Sequence, residues 1–153
     1  MNIQGKERNP QIDEAHLMLG ISRYYEQRFI PALEAFNYVL YKYPTSSEIN
    51  LIKIWREKTN MRLDNDAVAI VNLRKLLKEI KYKDQISADA NATLAQAFIN
   101  LKQNDSAITK LKIAIENTKL NEEKARYKFI IGQLYAENKE EIAQKHTTIK
   151  FWK

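Results

Sequence analysis

The sequence has no cysteine, and this absence excludes thiol catalysis and metal sites built from thiolates. It leaves the redox compartment undecided, because a protein without cysteines can reside on either side of a membrane. Only three glycines and three prolines occur among 153 residues, whereas helix-forming Leu, Ala, Lys and Glu are abundant. The composition therefore predicts a helical protein with few tight turns and argues against strands.

Long apolar runs are also missing from the sequence. No stretch approaches the ~20 apolar residues that a membrane-spanning helix needs. The first fifteen residues, MNIQGKERNPQIDEA, lack the apolar centre of a signal peptide. We therefore expect either a cytosolic protein or a segment of a longer chain, and its length fits one domain with a continuous core.

Positive charge is in excess. The sequence has 25 Lys and Arg against 19 Asp and Glu, which gives a net charge of +6 at pH 7. Such a charge attracts anionic surfaces. However, Lys, Ile and Asn are enriched together, as an AT-rich genome would produce, and the lysines are scattered over predicted exposed helix faces. The charge is therefore only a weak indication of nucleic-acid binding.

An internal repeat is clearest in the first third of the sequence. Gly20 follows Leu19, Ala32 lies twelve residues beyond Gly20, Phe36 four residues later, and Pro44 eight residues after that. These are the spacings of the tetratricopeptide repeat (TPR), with L-G, A-x3-F and a closing proline, which this segment resembles. In such a repeat two helices cross closely at the small residues, a large side chain fills the space beside the crossing, and proline ends the second helix.

Two weaker copies keep the pattern of the second helix. Their residues are Ala69, Leu73 and Leu76 in one copy and Ala107, Leu111 and Ala114 in the next. The alanines recur at intervals of 37 and 38 residues, slightly more than the usual TPR unit, so we expect longer turns to absorb the extra residues. In the third copy Leu94, Ala95 and Phe98 are expected on the first helix, with Asn104 and Asp105 at the start of the second.

The second copy departs most from the TPR pattern. Glu57 stands where a small residue is expected, and Trp55 lies near the leucine position. The register of this helix is therefore defined only to within one residue.

A fourth copy is incomplete. Its L, G and Y positions are Ile131, Gly132 and Tyr135. A second helix should follow, but it would begin one residue early at Ala143, and QKHTTIKFWK at 144–153 lacks the A-x3-F spacing. The open end of a helical stack exposes apolar surface, which we expect Phe151 and Trp152 to cover.

Together these copies predict one all-α, TPR-like domain over residues 1–153. It would be a right-handed superhelix of antiparallel helix pairs, with three full repeats and a partial fourth. The repeats are expected near 13–46, 50–83, 88–120 and 122–150. The residues expected to hold the pairs together are Gly20, Ala32, Phe36, Pro44, Ala69, Leu73, Ala107, Leu111, Gly132 and Tyr135.

Residues with catalytic chemistry are sparse. His16 and His146 stand alone at opposite ends of the chain, which argues against metal ligation or a catalytic triad. Nucleotide-binding glycine motifs are missing. Acidic pairs at 122–123 and 140–141 are expected at a helix start and at a turn, where they suit the helix dipole or face solvent. We therefore expect no enzymatic activity, no cofactor, no metal and no small-molecule substrate.

Aromatic side chains are concentrated in the first repeat. They are Tyr24, Tyr25, Phe29, Phe36, Tyr38, Tyr41 and Tyr43. Packing between helices is one interpretation. The other is a binding groove, because TPR grooves are lined by first-helix side chains at fixed positions. Counting from the small residues selects a groove of Leu17, Ile21, Tyr24, Tyr25, Lys58, Met61, Arg62, Gln96, Ile99, Asn100, Phe129, Gln133 and Glu137. This mixture suits an extended or helical peptide, so other proteins are the expected partners.

Three longer segments resemble one particular TPR family. They are DEAHLMLGISRYYEQRFIPALEAFNYVLYKYPTS, IWREKTNMRLDNDAVAIVNLRKLLKEIK and EEKARYKFIIGQLY, and the similarity as a whole covers about residues 7–138. The family is the PorW/SprE lipoprotein of the type IX secretion and gliding-motility system. The resemblance implies a non-catalytic scaffold at the periplasmic face of the outer membrane. Since no lipid-bearing cysteine is present, any membrane anchor would lie outside this segment.

Two alternatives stay open. One is a TPR lipoprotein of general outer-membrane protein assembly. The other is RNA binding through phosphate contacts, which would be strongly salt-dependent. Its candidate residues are Lys53, Arg56, Lys58, Arg62, Arg74, Lys75 and Lys78.

Overall fold

The computed structural model describes the backbone of residues 10–152 and the side chains of residues 11–145. This part of the chain forms seven α-helices and no strand, which confirms the all-α prediction. The helices are α1 (Pro10–Tyr25), α2 (Phe29–Lys42), α3 (Ile49–Arg62), α4 (Asp66–Glu79), α5 (Gln85–Asn100), α6 (Asn104–Asn117) and α7 (Asn121–Trp152).

The helices belong to two compact units, Met1–Ile80 and Lys81–Lys153. In the first unit, α1 packs against α2, α2 against α3 and α3 against α4, and α1 also touches α3. In the second unit, α5 packs against α6 and α6 against α7. The antiparallel pairs thus form as predicted, while a single domain with superhelical stacking stays a prediction.

Three helix pairs are joined by the same turn. Gln27, Asp64 and Lys102 adopt left-handed backbone conformations, with φ of 63°, 62° and 62°. In each turn the amide of the next residue donates to the carbonyl five residues earlier, the hydrogen bond of a Schellman motif. These bonds join Arg28 to Arg23 at 2.9 Å, Asn65 to Asn60 at 2.9 Å, and Gln103 to Phe98 at 2.8 Å.

The turns also establish the register of the second copy. Each left-handed residue precedes a repeat alanine by five positions, so Asp64 fixes Ala69 as the counterpart of Ala32. Counting back twelve residues from Ala69 places Glu57 at the position that Gly20 holds in the first copy. The one-residue uncertainty at Glu57 and Trp55 is thereby removed.

The small residues lie at helix contacts as the spacing predicted. Ala32, Ala69 and Ala107 are fully buried, and Gly20 on α1 faces the ring of Phe36 on α2. The larger residues four positions beyond each alanine, namely Phe36, Leu73 and Leu111, are buried beside them. The repeat pattern requires small side chains at these positions because large ones would keep the helix axes apart.

The first helix pair ends as its proline predicted. α2 stops at Lys42, and Tyr43 leaves helical geometry with φ −133° and ψ 63° immediately before Pro44. In the third pair, α6 begins at Asn104 as expected. The buried side chains of Leu94, Ala95 and Phe98 on α5 likewise match the prediction for its first helix.

Glu57 is accommodated by polar partners instead of by close packing. Its side chain is only 1% exposed on α3. The carboxylate accepts hydrogen bonds from Asn60 Nδ2 at 2.8 Å and from Asn72 Nδ2 on α4 at 3.0 Å, and it pairs with Arg56 Nε at 2.5 Å.

The fourth copy differs from the prediction. α7 runs without a turn from Asn121 to Trp152, so no second helix starts at Ala143, and Glu140 and Glu141 lie within a helix. The physical reason is local, because the residues after Gly132 are mostly helix formers and include neither glycine nor proline to end the helix. The predicted cover by the side chains at 151–152 falls outside the described residues.

The prediction that Gly132 and Tyr135 hold a helix pair together in this fourth copy is therefore wrong. A β-carbon added at Gly132 would meet nothing within 4 Å, and Tyr135 is 49% exposed. Within the described part of the chain neither residue lies at a helix crossing, because α7 continues where the second helix of this copy would begin. α7 is instead anchored to the second unit through the buried side chains of Tyr127 and Leu134.

Candidate functional site

Aromatic rings from three helices meet at one surface of the first unit. Tyr24 and Tyr25 end α1, Phe29 begins α2, and Trp55 lies in the middle of α3. The Tyr24 ring contacts the other three edge to face, with centroid distances of 5.4 Å to Tyr25, 5.4 Å to Trp55 and 5.6 Å to Phe29. This is the favourable geometry for aromatic pairs, so each ring restricts the orientation of its neighbours.

Beside these rings lies a surface pocket of about 370 Å³, which we name the aromatic–cationic pocket. It is lined by Tyr24, Tyr25, Gln27, Trp55, Lys58 and Arg62. Tyr25 contributes the most accessible ring, with 70% of its side chain exposed.

The base of this pocket rests on the hydrophobic core of the first unit. Tyr24 and Trp55 are half-buried and pack against a cluster of fully or nearly fully buried side chains. The cluster consists of Leu17, Ala32, Phe36, Val39 and Ile52. Rings held in this way lose little conformational entropy when a ligand binds, so the pocket is preorganised.

Two cations lie over the rings. Lys58 Nζ is 4.4 Å from the Trp55 ring centroid. The Arg62 guanidinium carbon is 4.8 Å from the Phe29 centroid and 5.8 Å from that of Tyr24. Cation–π contact fixes the positions of these groups while N–H donors can still reach a ligand. The pocket therefore combines apolar faces with donors suited to a carboxylate.

The structure brings together four of the predicted groove residues, namely Tyr24, Tyr25, Lys58 and Arg62. Ile21 is half-buried and packs against the hydrophobic cluster nearby. Leu17 and Met61 require a correction, because they are 5% and 9% exposed and belong to the core. Their side chains face neighbouring helices and are covered by them, so they do not line an open groove.

The other predicted groove residues lie in the second unit. Gln96 donates to Asn100 at 2.9 Å on α5, and Glu137 on α7 accepts from Asn104 at 3.1 Å. The remaining members are Ile99, which is half-buried, and Phe129 and Gln133, which are exposed. That these residues share a groove with those of the first unit stays a prediction.

Counting along first helices does not find two pocket residues, Gln27 and Trp55, or the Phe29 ring beside the pocket. Gln27 and Phe29 belong to the turn and the second helix, which the rule for first helices omits. Trp55 precedes the small-residue position by two, which in the TPR pattern is a departure and not a groove position. The aromatic concentration in the first repeat was the available signal for Phe29, whereas only the packing of α3 near the end of α1 reveals Trp55.

The remaining candidates for chemistry have structural explanations or are missing from the described residues. His16 stacks on Tyr38 at a centroid distance of 4.3 Å, and its Nδ1 donates to the Ile12 carbonyl oxygen at 2.8 Å, which explains this histidine structurally. Among the described residues, no group of three or more His, Asp or Glu side chains could hold a metal ion. None of the described helices is long and apolar enough to cross a membrane.

Two of the basic residues considered for RNA binding are engaged within the first unit. Lys53 Nζ lies 3.3 Å from Glu79, and Arg56 pairs with the buried Glu57. These ion pairs reduce the positive charge that α3 and α4 offer to a phosphate backbone. Lys58 and Arg62, in contrast, belong to the aromatic–cationic pocket.

Helix pairs with buried small residues and a recurring Schellman turn define an all-α, TPR-like helical repeat protein. Among solved structures with this fold is the crystal structure of MamA protein, itself a TPR-like repeat protein. It matches with a TM-score of 0.60 and 24% sequence identity over 83% of this chain. The match covers 64% of the MamA chain, so this chain spans less than two thirds of its length. No protein-family model and no curated protein matches the sequence.

Proposed function

We propose that this protein is a non-catalytic interaction scaffold whose aromatic–cationic pocket binds an acidic segment of a partner polypeptide. The observation that carries the proposal is the convergence of Tyr24, Tyr25 and Trp55 with Lys58 and Arg62 on a preformed surface. TPR-like folds present such surfaces to other proteins, and aromatic and arginine side chains dominate the energetics of protein interfaces.

The pocket chemistry specifies the kind of segment. An apolar side chain of the partner would pack on the rings of Tyr25 and Trp55, while a neighbouring carboxylate would accept hydrogen bonds from Arg62 and Lys58. Charge-assisted hydrogen bonds of this type are about twice as strong as neutral ones. The rings of Tyr24 and Trp55 already pack on the core, so binding requires little reordering of these side chains.

A peptide-display selection tests this function. Random peptides displayed on phage are selected on the wild-type protein after depletion on the Tyr25→Ala/Arg62→Glu variant. We expect enriched peptides that pair an acidic residue with a large apolar one, and at least ~10-fold weaker binding of these peptides to the variant by fluorescence anisotropy. Tyr41→Ala is the matched control, because this tyrosine is 89% exposed on α2 and lies outside the pocket.

The same assay includes mixed-sequence RNA as a competing ligand. Tight binding of RNA with a steep loss of affinity in salt would contradict the scaffold proposal and support the RNA-binding alternative. Weak binding of RNA, unaffected by Arg62→Glu, is the expected result.

For the cellular setting, we propose a place in the type IX secretion and gliding machinery at the periplasmic face of the outer membrane. Support comes from the three sequence segments that resemble the PorW/SprE lipoprotein, and any lipid anchor would lie outside this segment. Pull-down from envelope extracts should recover secretion-system components, whereas recovery of cytosolic proteins alone would contradict the proposal.

Gene deletion separates this setting from general outer-membrane protein assembly. We expect secretion and gliding to be lost while β-barrel proteins still insert normally. A general defect in barrel insertion would instead favour the second setting.

A further inference from the structure

Over the part of α7 whose side chains are described, one side of the helix is exposed. Tyr127 and Leu134, seven residues apart, are buried on the side that packs against the unit. A flank of α7, roughly 110° around the helix axis from this buried side at about 100° per residue, carries residues at helical spacings of four and three, which therefore share one face. They are Lys128, Gly132, Tyr135, Lys139 and Ile142, and we name this surface the outer face of α7.

The outer face is apolar at its centre and accessible. Tyr135 and Ile142 are 49% and 59% exposed. A shallow pocket of about 490 Å³ lies on it, lined by Gly132, Tyr135, Ala136, Asn138, Lys139 and Ile142. Large side chains exposed together in this way are typical of an interaction surface.

The internal repeat indicates what shape fits this surface. Gly132 corresponds to Gly20, whose missing side chain makes room for the ring of Phe36 from the following antiparallel helix. At Gly132 the equivalent space is open, since nothing lies within 4 Å of an added β-carbon. A helix with a large apolar side chain at its crossing point can therefore pack on α7 as α2 packs on α1.

The charges on this surface are basic. Lys128 and Lys139 flank Gly132 on the outer face, and Lys112 Nζ of α6 lies 5.8 Å from the Tyr135 ring centroid. Nearby acidic residues are engaged by other side chains, and Asp105 of α6 accepts a hydrogen bond from Asn138 at 3.2 Å. Glu137 accepts a hydrogen bond from Asn104, and Glu141 pairs with Lys145 at 3.5 Å. An occupant with carboxylates on either side of its apolar stripe would complement these lysines.

We infer that the outer face of α7 docks an acidic amphipathic helix of a partner protein, with a large apolar side chain seated at Gly132 and carboxylates facing Lys128 and Lys139. The elongated surface on a single helix favours a helical occupant over an extended one. A second copy of this chain fits poorly, because it would bring the lysines of this face against an equally basic surface instead of against carboxylates.

A designed probe tests this inference on the full chain. The probe is a stapled helical peptide with alanine and phenylalanine four residues apart, as at Ala32 and Phe36, and with glutamates flanking that stripe. A control peptide has lysines in place of the glutamates. We expect the acidic peptide to bind at least tenfold more tightly in fluorescence anisotropy, with affinity that falls as salt rises.

Two variants locate the binding. Gly132→Leu should weaken the acidic peptide at least tenfold while circular dichroism stays unchanged, because the added side chain has room in the unbound protein. Lys128→Glu/Lys139→Glu should reverse the preference between the two peptides. Both variants are compared with the unchanged outer face in the Tyr25→Ala/Arg62→Glu background, so that the aromatic–cationic pocket, which also suits acidic and apolar side chains, does not contribute to the measured affinity.

Three results would overturn the inference. They are equal affinity for both peptides, no measurable binding of either, and a wild-type dimer in sedimentation equilibrium that Gly132→Leu dissociates. The last result would identify a second copy of the chain as the occupant.

Discussion

Gly20 on α1 lies so close to Phe36 on α2 that a β-carbon at Gly20 would be only 2.3 Å from Phe36 Cε1. Because Phe36 is fully buried, its ring has little room to move away. We predict that Gly20→Ala destabilises the protein by about 1–2 kcal/mol, since overpacking costs about 1–3 kcal/mol and the higher helix propensity of alanine offsets up to ~1 kcal/mol. Urea denaturation measures this change.

Gly132→Ala is the matched control for that substitution. Both glycines hold the same position of the repeat, but the space at Gly132 is open. Alanine there should leave stability unchanged or raise it by up to ~1 kcal/mol. Equal destabilisation by both substitutions would mean that the loss at Gly20 does not come from contact with Phe36.

The buried carboxylate of Glu57 provides a second prediction. In Glu57→Ala, the amides of Asn60 and Asn72 lose their acceptor inside the first unit, and a cavity remains. We expect a loss of about 2–4 kcal/mol in the free energy of unfolding. Glu79→Ala, which removes the partly exposed ion pair to Lys53, should cost less than ~1 kcal/mol. Similar losses in both variants would contradict the account of Glu57.

The Schellman turns predict a stabilising substitution. Lys102 has a φ of 62°, which glycine adopts at little cost and a residue with a β-carbon does not. Lys102→Gly should therefore raise the midpoint of urea denaturation, by a free energy of about 0.5–1 kcal/mol. Lys102→Ala keeps the β-carbon and should give no such gain, so equal effects of the two substitutions would argue against strain at this turn.

Tyr127 predicts a loss of stability at alkaline pH. Burial of its side chain raises the pKa of the Tyr127 phenol, while a hydrogen bond with Arg126 acts in the opposite direction. A raised pKa in the folded state means that the unfolded chain releases this proton at lower pH. The associated stability is fully present below the unfolded pKa of about 10 and is lost as pH rises through the folded pKa.

Urea denaturation across this alkaline range measures the effect. Tyr127→Phe should show a smaller decline in stability with pH than the wild type. Tyr41→Phe, which removes an exposed tyrosine from α2, should follow the wild type. If all three proteins decline in parallel, Tyr127 does not contribute to the loss.

The helix pairs could be predicted from sequence because their cause is local and repeated. Close crossing requires a small residue, so Ala32, Ala69 and Ala107 are recognisable by spacing alone, and all three are buried. The continuous α7 was harder to predict. The start of α7 resembles the first helix of a repeat, so a turn is expected after Gly132. The residues that follow include neither glycine nor proline, and the helix therefore continues.

The candidate site was only partly predictable for a related reason. Tyr24 and Tyr25 follow from their positions on a first helix, as do Lys58 and Arg62. Trp55 completes the pocket from a helix some 30 residues further along the chain, and its contacts depend on how α3 packs against α1 and α2. Counting positions within one repeat does not predict contacts between helices of different repeats.

The most direct test of the proposed function is the affinity of a display-selected peptide for the wild type, for Tyr25→Ala/Arg62→Glu and for the Tyr41→Ala control. We predict that the first substitution pair weakens binding at least ~10-fold and that the control leaves it unchanged. Equal affinity for all three proteins would contradict the claim that the aromatic–cationic pocket binds the partner.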